Sequence, residues 1–345
     1  MVAIGINGFG RIGRVTTRIL RERQHLDLLL AINDLTDAAT LAHLLKYDSS
    51  YGILADDIRA VEPPSPVFSG GIRIGHHVIG VLSEPDPAKL PWRELGVDIV
   101  IESTGRFTDP AQAKKHLTAG AKQVIISAPS SGDKPAPTSL IGVNAGTNDA
   151  DILNNASCTT NSIGPLVAIL DEAFGVEKAM MTTVHGYTAD QNLQDGPHRD
   201  LRRARNAATN IVPTTTGAAI ATTEAIPRLK NKFDGIALRV PVPVGSISDV
   251  TALLRHSVTV DHVNDIFVQA ASHPQWRGII ATTTDPLVSN DIVGRPESVI
   301  VDLSLTRVVG GNLVKVFGWY DNEWGYSQRL VDQALRLGSE LVAKK

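Results

Sequence analysis

Short apolar runs alternate with amphipathic segments through the first part of the chain. A helical pattern follows the first run and extends to about Arg23, with apolar residues at Ile12, Val15 and Ile19. Strands that are buried on both faces read as continuous apolar runs, and a helix usually connects parallel neighbours. The alternation therefore predicts an α/β unit with a parallel sheet. Its apolar runs are 2–7, 26–32, 97–102 and 123–127, and a further helix pattern covers 110–119.

The pattern changes near the middle of the chain. Helix patterns at 162–174 and 261–271 are accompanied by several candidate strands with few crossover helices between them. Such an order is typical of an α+β domain with a mostly antiparallel, mixed sheet. We therefore predict one domain at 1–157 and a second at 158–321, with a C-terminal helix at about 322–345 that packs back on the first domain. The candidate strands of the second domain are 178–185, 235–242, 248–256, 298–305 and 313–320.

A glycine-rich segment separates the first apolar run from the first helix pattern. Gly8, Gly10 and Gly13 have the G-x-G-x-x-G spacing, which allows a tight turn, close approach of a pyrophosphate and close helix–strand packing. Asp34 follows the second run, where a carboxylate accepts a hydrogen bond from the adenosine ribose and repels a 2′-phosphate. Together these features predict a Rossmann domain that binds NAD in preference to NADP. The alternative is a tight glycine turn with a solvated aspartate.

Small polar residues follow two later apolar runs. Thr104 and Gly105 come shortly after the run at 97–102, and Ser127 ends the run at 123–127. Ligands of open parallel sheets bind beyond the carboxyl ends of the strands. These three residues are therefore candidates for the cofactor site, with ordinary loop chemistry as the alternative.

Composition limits the class of protein. The chain has 345 residues and a formal net charge of −3, which argues against a general nucleic-acid-binding protein. No apolar run reaches the length that a membrane helix needs, and the first residues lack the pattern of a secretory signal. Cys158 is the only cysteine. We therefore expect a cytoplasmic protein, and we predict no metal site.

Cys158 stands among small and hydroxyl-bearing residues, just before a helix pattern. The N-terminus of a helix favours a thiolate, which is the nucleophilic form of cysteine, through its dipole and its free N–H groups. His185 ends a candidate strand and is a candidate base, although residue type alone does not distinguish it among ten histidines. The alternatives are a buried structural cysteine and a structural histidine.

Basic and hydroxyl-bearing side chains cluster in the second half. Four arginines lie within 199–205, a threonine-rich segment at 213–219 precedes a helix pattern, and Arg239 lies inside an apolar strand. A buried arginine requires an anionic partner, and arginine, threonine and helix N-termini together are typical of an anion site. A nucleic-acid patch is less well supported, because no aromatic residues are interleaved. A solvated charged face is the other alternative.

Seven segments, in order along nearly the whole chain, carry a joint signal. They are 7–14 (NGFGRIGR), 45–49 (LKYDS), 102–105 (ESTG), 156–161 (ASCTTN), 182–185 (TTVH), 200–205 (DLRRAR) and 319–326 (WYDNEWGY). The Ser-Cys-Thr-Thr-Asn sequence is the most specific of them. Through these segments the chain resembles the glyceraldehyde-3-phosphate dehydrogenase family.

The resemblance implies an activity and an assembly. The activity is the NAD-dependent oxidation of D-glyceraldehyde 3-phosphate, with inorganic phosphate, to 1,3-bisphosphoglycerate, through a hemithioacetal and a thioester on Cys158. It belongs to glycolysis or gluconeogenesis, and His185 would be the base. The implied assembly is a homotetramer, in which the loop at about 187–211 lies near a neighbouring subunit's cofactor.

The resemblance also implies roles for individual residues. Asn322 would hold the nicotinamide carboxamide, and Arg11, Ile12 and Asp34 would belong to the cofactor site. Thr188 and Arg239 would bind the substrate's own phosphate. The implied residues of the inorganic phosphate site are Ser157, Thr159, Thr216 and Gly217, with Arg203 nearby.

The chain departs from the family pattern in three places. Pro85 stands where many relatives have a basic residue that contacts the cofactor, Ser162 where many have a second cysteine, and 244–246 (VGS) differs from the commoner sequence. Catalysis should therefore not require a second thiol. Two other functions stay open, namely an erythrose-4-phosphate dehydrogenase and a non-catalytic redox sensor or nucleic-acid binder. The threonine-rich segment at 214–219 favours the phosphorylating enzyme over the first, and the intact set of Cys158, His185, Asp34 and Asn322 argues against the second.

Overall fold

The computed structural model describes residues 2–146 and 150–343, which cluster into two compact units. The first unit comprises Met1–Ser139, Gly146–Ala156 and Ser327–Lys345, and the second comprises Leu140–Ala145 and Ser157–Tyr326. Within these described residues, no helix is long and apolar enough to cross a bilayer.

Strands and helices alternate through most of the first unit. Its strands are β1 (Ile4–Asn7), β2 (Leu29–Asn33), β3 (Tyr47–Asp48), β4 (Gly52–Ile53), β5 (Ile58–Val61), β6 (Gly70–Ile74), β7 (His77–Leu82), β8 (Ile99–Glu102), β9 (Gln123–Ile126) and β10 (Ile152–Asn154). Its helices are α1 (Arg11–Glu22), α2 (Ala38–Lys46), α3 (Trp92–Leu95), α4 (Pro110–Thr118) and nearly all of α8 (Trp324–Ala343).

The main sheet of the first unit confirms the predicted Rossmann fold. Its strand order is β10-β9-β8-β1-β2-β7-β6-β5, and β1 pairs in parallel with both β2 and β8. The chain therefore builds outward from β1 first on one side and then on the other. This reversal opens a crevice at the carboxyl ends of β1 and β8, where ligands of such sheets bind.

Two features of this sheet differ from the sequence-based prediction. The apolar run at 26–32 divides into a short 3₁₀ turn at Leu26–Leu28, followed by β2. Because the run is apolar throughout, its periodicity does not reveal where the turn ends and the strand begins. The antiparallel strands β5 and β6, which extend the sheet beyond β7, were not predicted.

The second unit is built on one mixed sheet. Its strand order is β12-β13-β11-β14-β18-β16-β15, with β17 paired to β18. Among the described strands of this second sheet, only the β11–β13 and β15–β16 pairs are parallel, so the prediction of a mostly antiparallel mixed sheet is confirmed. The strands are β11 (Val176–Gly186), β12 (Val212–Thr214), β13 (Phe233–Val240), β14 (Ser246–Leu254), β15 (Ile280–Thr283), β16 (Val299–Asp302), β17 (Arg307–Val309) and β18 (Leu313–Tyr320), and the helices are α5 (Cys158–Phe174), α6 (Ala218–Ala225) and α7 (Val260–Ser272).

Helix α5 forms the core of the second unit and begins earlier than predicted. Ser157 is its N-cap, with its hydroxyl accepting a hydrogen bond from the N–H of Thr160 at 3.0 Å. Cys158 is therefore the first residue of the helix rather than a residue that precedes it. This position places the cysteine at the N-terminus of the helix, where the helix dipole is positive.

Candidate active site

The glycines of the fingerprint shape a cleft at the carboxyl edge of the first unit's sheet. Gly8 has a φ of +94°, and a Cβ there would lie 2.6 Å from the backbone nitrogen of Thr104. Gly13 packs against the carbonyl oxygen of Gly8, whereas a Cβ on Gly10 would meet no described atom within 4 Å. The turn is therefore closed on the protein side and open at Gly10. The cleft measures about 320 Å³, and its lining includes Gly8, Gly10, Asp34, Leu35, Pro85 and Thr104.

Asp34 is held rigidly at the edge of this cleft. Its Oδ2 accepts a hydrogen bond from the N–H of Phe9 at 2.8 Å, and its Oδ1 accepts one from the N–H of Thr36 at 3.0 Å. Each oxygen keeps a further lone pair for a hydroxyl donor. Pro85 lies in the same lining and offers no charge, so the position where many relatives have a basic residue provides only an apolar contact here.

A buried network beneath the cleft was missed in the sequence. Both carboxylate oxygens of Glu102 accept hydrogen bonds, Oε1 from the N–H and hydroxyl of Thr104 and Oε2 from the side chains of Asn7 and His116. The indole N–H of Trp92 donates to Nδ1 of His116 at 3.0 Å, so the proton of this imidazole is on Nε2, facing Glu102. Glu102 thus fixes Thr104 in the cleft wall. A charged residue at the end of an apolar run was the available signal.

The other predicted cofactor residues are distributed around the start of α1 and the strand ends. Arg11 forms an ion pair with Asp48 at 2.5 Å, and its guanidinium lies over the ring of Tyr51. Gly105 has a φ of +70°, which glycine adopts without strain. The N–H of Ser127 donates to the carbonyl oxygen of Glu102, which ties the ends of β8 and β9 together. Ile12 is partly exposed in the first turn of α1.

Cys158 and His185 meet in the second unit. Sγ of Cys158 lies 3.3 Å from Nε2 of His185, which is near the end of β11 on the buried face of that strand. Nδ1 of His185 lies 2.6 Å from the carbonyl oxygen of Gly186, which accepts, and 2.7 Å from Nη1 of Arg239, which donates. We assign the proton of the neutral ring to Nδ1, because Nε2 then accepts from the thiol of Cys158, and the approach of Arg239 is then a contact between two donors rather than a hydrogen bond. The lone pair of Nε2 therefore faces the sulfur. This geometry is that of a nucleophile beside its general base.

Burial and Arg239 set the electrostatics of this pair. Nη1 of Arg239 lies 2.7 Å from Nδ1 of His185 and 3.3 Å from the carbonyl oxygen of Gly186. Burial, reinforced by the Arg239 cation, lowers the pKa of His185 from 6.5 to about 3, so the ring is neutral and able to accept a proton. Burial raises the pKa of the Cys158 thiol above its ordinary value, although the residue keeps partial exposure and Arg239 and Thr159 act in the opposite direction.

This direction differs from the sequence-based expectation of a thiolate. Removal of the thiol from water raises its pKa by more than the Arg239 cation and the hydrogen bonds of Thr159 lower it. The resting pair is therefore a thiol beside a neutral imidazole.

A buried tyrosine behind the pair was also missed in the sequence. The hydroxyl of Tyr320 lies 2.9 Å from Oγ1 of Thr159 and 2.8 Å from Oγ1 of Thr183, and its ring contacts that of His185 edge-on. Burial raises the pKa of Tyr320, so this phenol keeps its proton. Tyr320 thereby joins α5, β11 and β18 directly behind the Cys158–His185 pair.

The residues predicted to bind anions lie on several elements of the second unit. Arg203 is ion-paired with Asp190, and its Nε donates to Oγ1 of Thr214 at 2.9 Å. Arg203 and Asp190 act electrostatically on Arg239, so this cluster lies near the Cys158–His185 pair. Gly217 is the N-cap of α6, and Oγ1 of Thr216 accepts from the N–H of Ala218. Thr188 is partly exposed beyond the end of β11, where its N–H donates to Gln191.

Asn322 lies just after β18, with its side chain almost fully buried. Its Oδ1 accepts hydrogen bonds from the N–H of Gly245 and from the hydroxyl of Ser246. These contacts connect it to two of the three residues in the segment that departs from the family pattern.

Comparison with known proteins gives one consistent result. The family model described as glyceraldehyde 3-phosphate dehydrogenase, NAD binding domain, matches residues 2–110, and the model for the C-terminal domain of the same family matches residues 157–322. The chain belongs to the glyceraldehyde-3-phosphate dehydrogenase family. Its relatives include glyceraldehyde-3-phosphate dehydrogenase 2 of Streptomyces arenae, which is 53% identical over 343 residues. The enzymes of that name from Streptomyces coelicolor and Mycolicibacterium smegmatis are 51% and 50% identical, and each of the three alignments covers 99% of both chains.

The first unit fits the cofactor of the glyceraldehyde-3-phosphate dehydrogenase family. NAD requires a pyrophosphate that approaches backbone closely and a ribose that meets an acceptor. The open face of Gly10 and the anchored carboxylate of Asp34 provide these two features in one cleft. Among residues 2–146 and 150–343, no group of three or more potential metal-ligating side chains is assembled.

Proposed function

We propose that the enzyme oxidises D-glyceraldehyde 3-phosphate to 1,3-bisphosphoglycerate with NAD and inorganic phosphate, using Cys158 as nucleophile and His185 as base. The observation that carries these two roles is the 3.3 Å approach of the cysteine sulfur to the unprotonated nitrogen of a neutral, buried imidazole. Membership of the family supports the activity over the erythrose 4-phosphate alternative, and also over a non-catalytic relative.

The reaction begins with addition of the Cys158 sulfur to the aldehyde carbon. The thiol proton passes to Nε2 of His185 and then to the former aldehyde oxygen, which gives a hemithioacetal and returns a neutral imidazole. The N–H of Cys158, at the start of α5, is suited to stabilise the oxyanion during this step.

His185 then removes the hydroxyl proton of the hemithioacetal. When bound, NAD supplies the acceptor for the hydride that leaves the same carbon, and a thioester remains on Cys158. An oxygen of inorganic phosphate attacks the thioester carbonyl, and the sulfur leaves as a thiolate that His185 reprotonates.

Two anion positions follow from this scheme. We assign the substrate's own phosphate to Arg239 and Thr188, and inorganic phosphate to Ser157, Thr159, Thr216 and Gly217 with Arg203 nearby. The support is the guanidinium of Arg239 beside the catalytic histidine and the N-termini of α5 and α6, which attract anions. Asn322 would hold the nicotinamide carboxamide, and Arg11, Ile12, Thr104, Gly105 and Ser127 would complete the cofactor site.

These assignments give each of the two domains its own function. Residues 1–157, with the helix at 322–345, would form the cofactor domain, and residues 158–321 would form the catalytic domain. The cytoplasm keeps cysteine thiols reduced. The chain has a single cysteine, which we propose to be reactive, and a reduced thiol suits that compartment. We therefore propose that the enzyme is cytoplasmic.

We further propose that the enzyme is a homotetramer. One face of the second unit's sheet presents exposed apolar side chains at Met180, Ile236 and Leu313 around a shallow depression of about 610 Å³. Apolar surface of this kind on a soluble domain is typical of an association surface. Light scattering coupled to size-exclusion chromatography should give a mass four times that of the chain, and a monomeric mass would contradict the proposal.

One assay tests the activity and the nucleophile together. NADH formation is measured with glyceraldehyde 3-phosphate and with erythrose 4-phosphate, each with and without inorganic phosphate. We expect rapid turnover of the triose that depends strongly on phosphate, and a loss of several orders of magnitude in Cys158→Ser, because a serine hydroxyl is hardly ionised near neutral pH. Near-normal turnover in this variant would refute the mechanism.

A further inference from the structure

Ser246 links two groups that the proposed mechanism treats separately. Its Oγ accepts a hydrogen bond from the N–H of Gly186 at 3.3 Å and donates one to Oδ1 of Asn322 at 3.0 Å. A backbone N–H only donates, so the direction of both bonds is fixed and the serine proton points to Asn322. Ser246 is almost completely buried, which makes both bonds costly to lose.

Gly245 provides the second donor to the same amide. Its N–H lies 3.1 Å from Oδ1 of Asn322, its φ is +99°, and a Cβ there would lie 2.5 Å from the carbonyl oxygen of Ser289. Only glycine fits this bend without strain. Two donors thus hold the oxygen of Asn322, and the amide nitrogen faces away from them as the group that remains to donate.

The other end of the chain of hydrogen bonds reaches the catalytic base. Gly186 follows His185 directly, and its carbonyl oxygen accepts the hydrogen bond from Nδ1 of His185 at 2.6 Å. With the proton on Nδ1, that bond holds the ring in the orientation that turns the lone pair of Nε2 toward Cys158. By holding the N–H of Gly186, Ser246 helps to fix the peptide on which the orientation of His185 depends.

We propose that Gly245 and Ser246 act as a positioning clamp that couples the cofactor-binding amide of Asn322 to the base His185. The proposal rests on the roles assigned above to these two residues. The positive φ of the glycine brings its N–H to Asn322, while the next hydroxyl reaches both Asn322 and Gly186.

Ser246→Ala and Ser248→Ala form a matched pair for the test. Ser248 is equally buried on the same face of β14, two residues further along, but its hydroxyl contacts Ser162 instead. We expect Ser246→Ala to weaken NAD binding by about two- to tenfold, which corresponds to the loss of one hydrogen bond, while Ser248→Ala leaves it within about twofold of wild type.

The coupling between Asn322 and His185 can be measured separately from NAD affinity, by a signal that loss of structure alone would not produce. Cys158 is the only cysteine, so the rate of its alkylation by iodoacetamide, measured against pH with and without NAD, reports directly on the Cys158–His185 pair. NAD should shift this profile in wild type and in Ser248→Ala, and the shift should shrink by more than half in Ser246→Ala. Equal NAD affinity and an equal NAD-induced shift in both serine variants would overturn the clamp.

Asn322→Ala separates failure of the clamp from failure of the underlying assignment. We expect it to weaken NAD binding, and we expect Ser246→Ala to add little further weakening in the Asn322→Ala background, because both changes then act on the same contact. Wild-type NAD affinity in Asn322→Ala would refute both the role of Asn322 and the clamp. Weakened binding in Asn322→Ala that is independent of Ser246→Ala would refute the clamp alone.

Discussion

Replacement of Gly13 by alanine tests how the cofactor cleft is built. A Cβ at this position would lie 2.4 Å from the carbonyl oxygen of Gly8, whereas ordinary contacts begin near 3.4 Å. The opposing atom belongs to the backbone of a turn that is itself packed on Thr104, so it cannot swing aside as a flexible side chain would. Helix α1 must therefore move away from β1 by about 1 Å, a distance at which packed interiors are strained.

The expected cost follows from two opposing effects. Overpacking of a core position costs about 1–3 kcal/mol, and a rigid opposing atom favours the upper end of that range. Alanine in place of glycine within a helix recovers up to about 1 kcal/mol. We expect a net loss of about 2 kcal/mol, which corresponds to a fall of about 4–8 °C in the melting temperature of a unit of this size.

Gly10→Ala is the matched control, because it adds the same methyl group to the same segment. The added Cβ would meet no described atom within 4 Å, so the melting temperature should stay within about 2 °C of wild type. NAD affinity, measured by calorimetric titration, should fall by about tenfold or more, since the methyl occupies the open side of the turn. A wild-type melting temperature in Gly13→Ala, or wild-type NAD affinity in Gly10→Ala, would refute the reasoning for that glycine.

Three further predictions concern charges. The pKa of His185 is lowered from 6.5 to about 3, so the unfolded chain binds an extra proton between these values and stability falls as pH decreases through this window. Denaturant titrations at each pH give the free energy of unfolding. As pH decreases through this window, that free energy should fall less steeply in His185→Gln than in wild type, by up to about 1.4 kcal/mol per pH unit. Equal slopes in the two proteins would contradict the lowered pKa. Asp34→Asn keeps the side-chain size but removes the charge, so the ratio of kcat/KM for NADP to that for NAD should rise about tenfold, and an unchanged ratio would place the carboxylate away from the ribose. Glu102→Gln places an amide N–H opposite the donors of Thr104 or Asn7. Thermal unfolding should show a loss of about 2 kcal/mol in stability, together with weaker NAD binding. A wild-type melting temperature would show that the network is dispensable.

Local patterns in the sequence were sufficient to predict the fold class of the first unit, although not its strands β5 and β6. The glycine spacing, the following helix and Asp34 all act within about 30 residues, and each reflects a backbone or packing requirement of one β-α-β turn. Element boundaries were less accurate. The start of α5 depends on the capping hydroxyl of Ser157, and the start of β2 depends on a turn inside an apolar run, and neither changes the hydrophobic period.

The sequence by itself determined the family and the cofactor class, and it singled out Cys158 as the candidate nucleophile, because these features are encoded in contiguous motifs. Only the tertiary structure decided what surrounds that thiol. Tyr320 reaches Thr159 across 161 residues of sequence, and Arg239 reaches His185 across 54, so no local spacing reveals either contact. The protonation of the Cys158–His185 pair depends on burial as well as on helix position, and burial exists only once the second unit has folded.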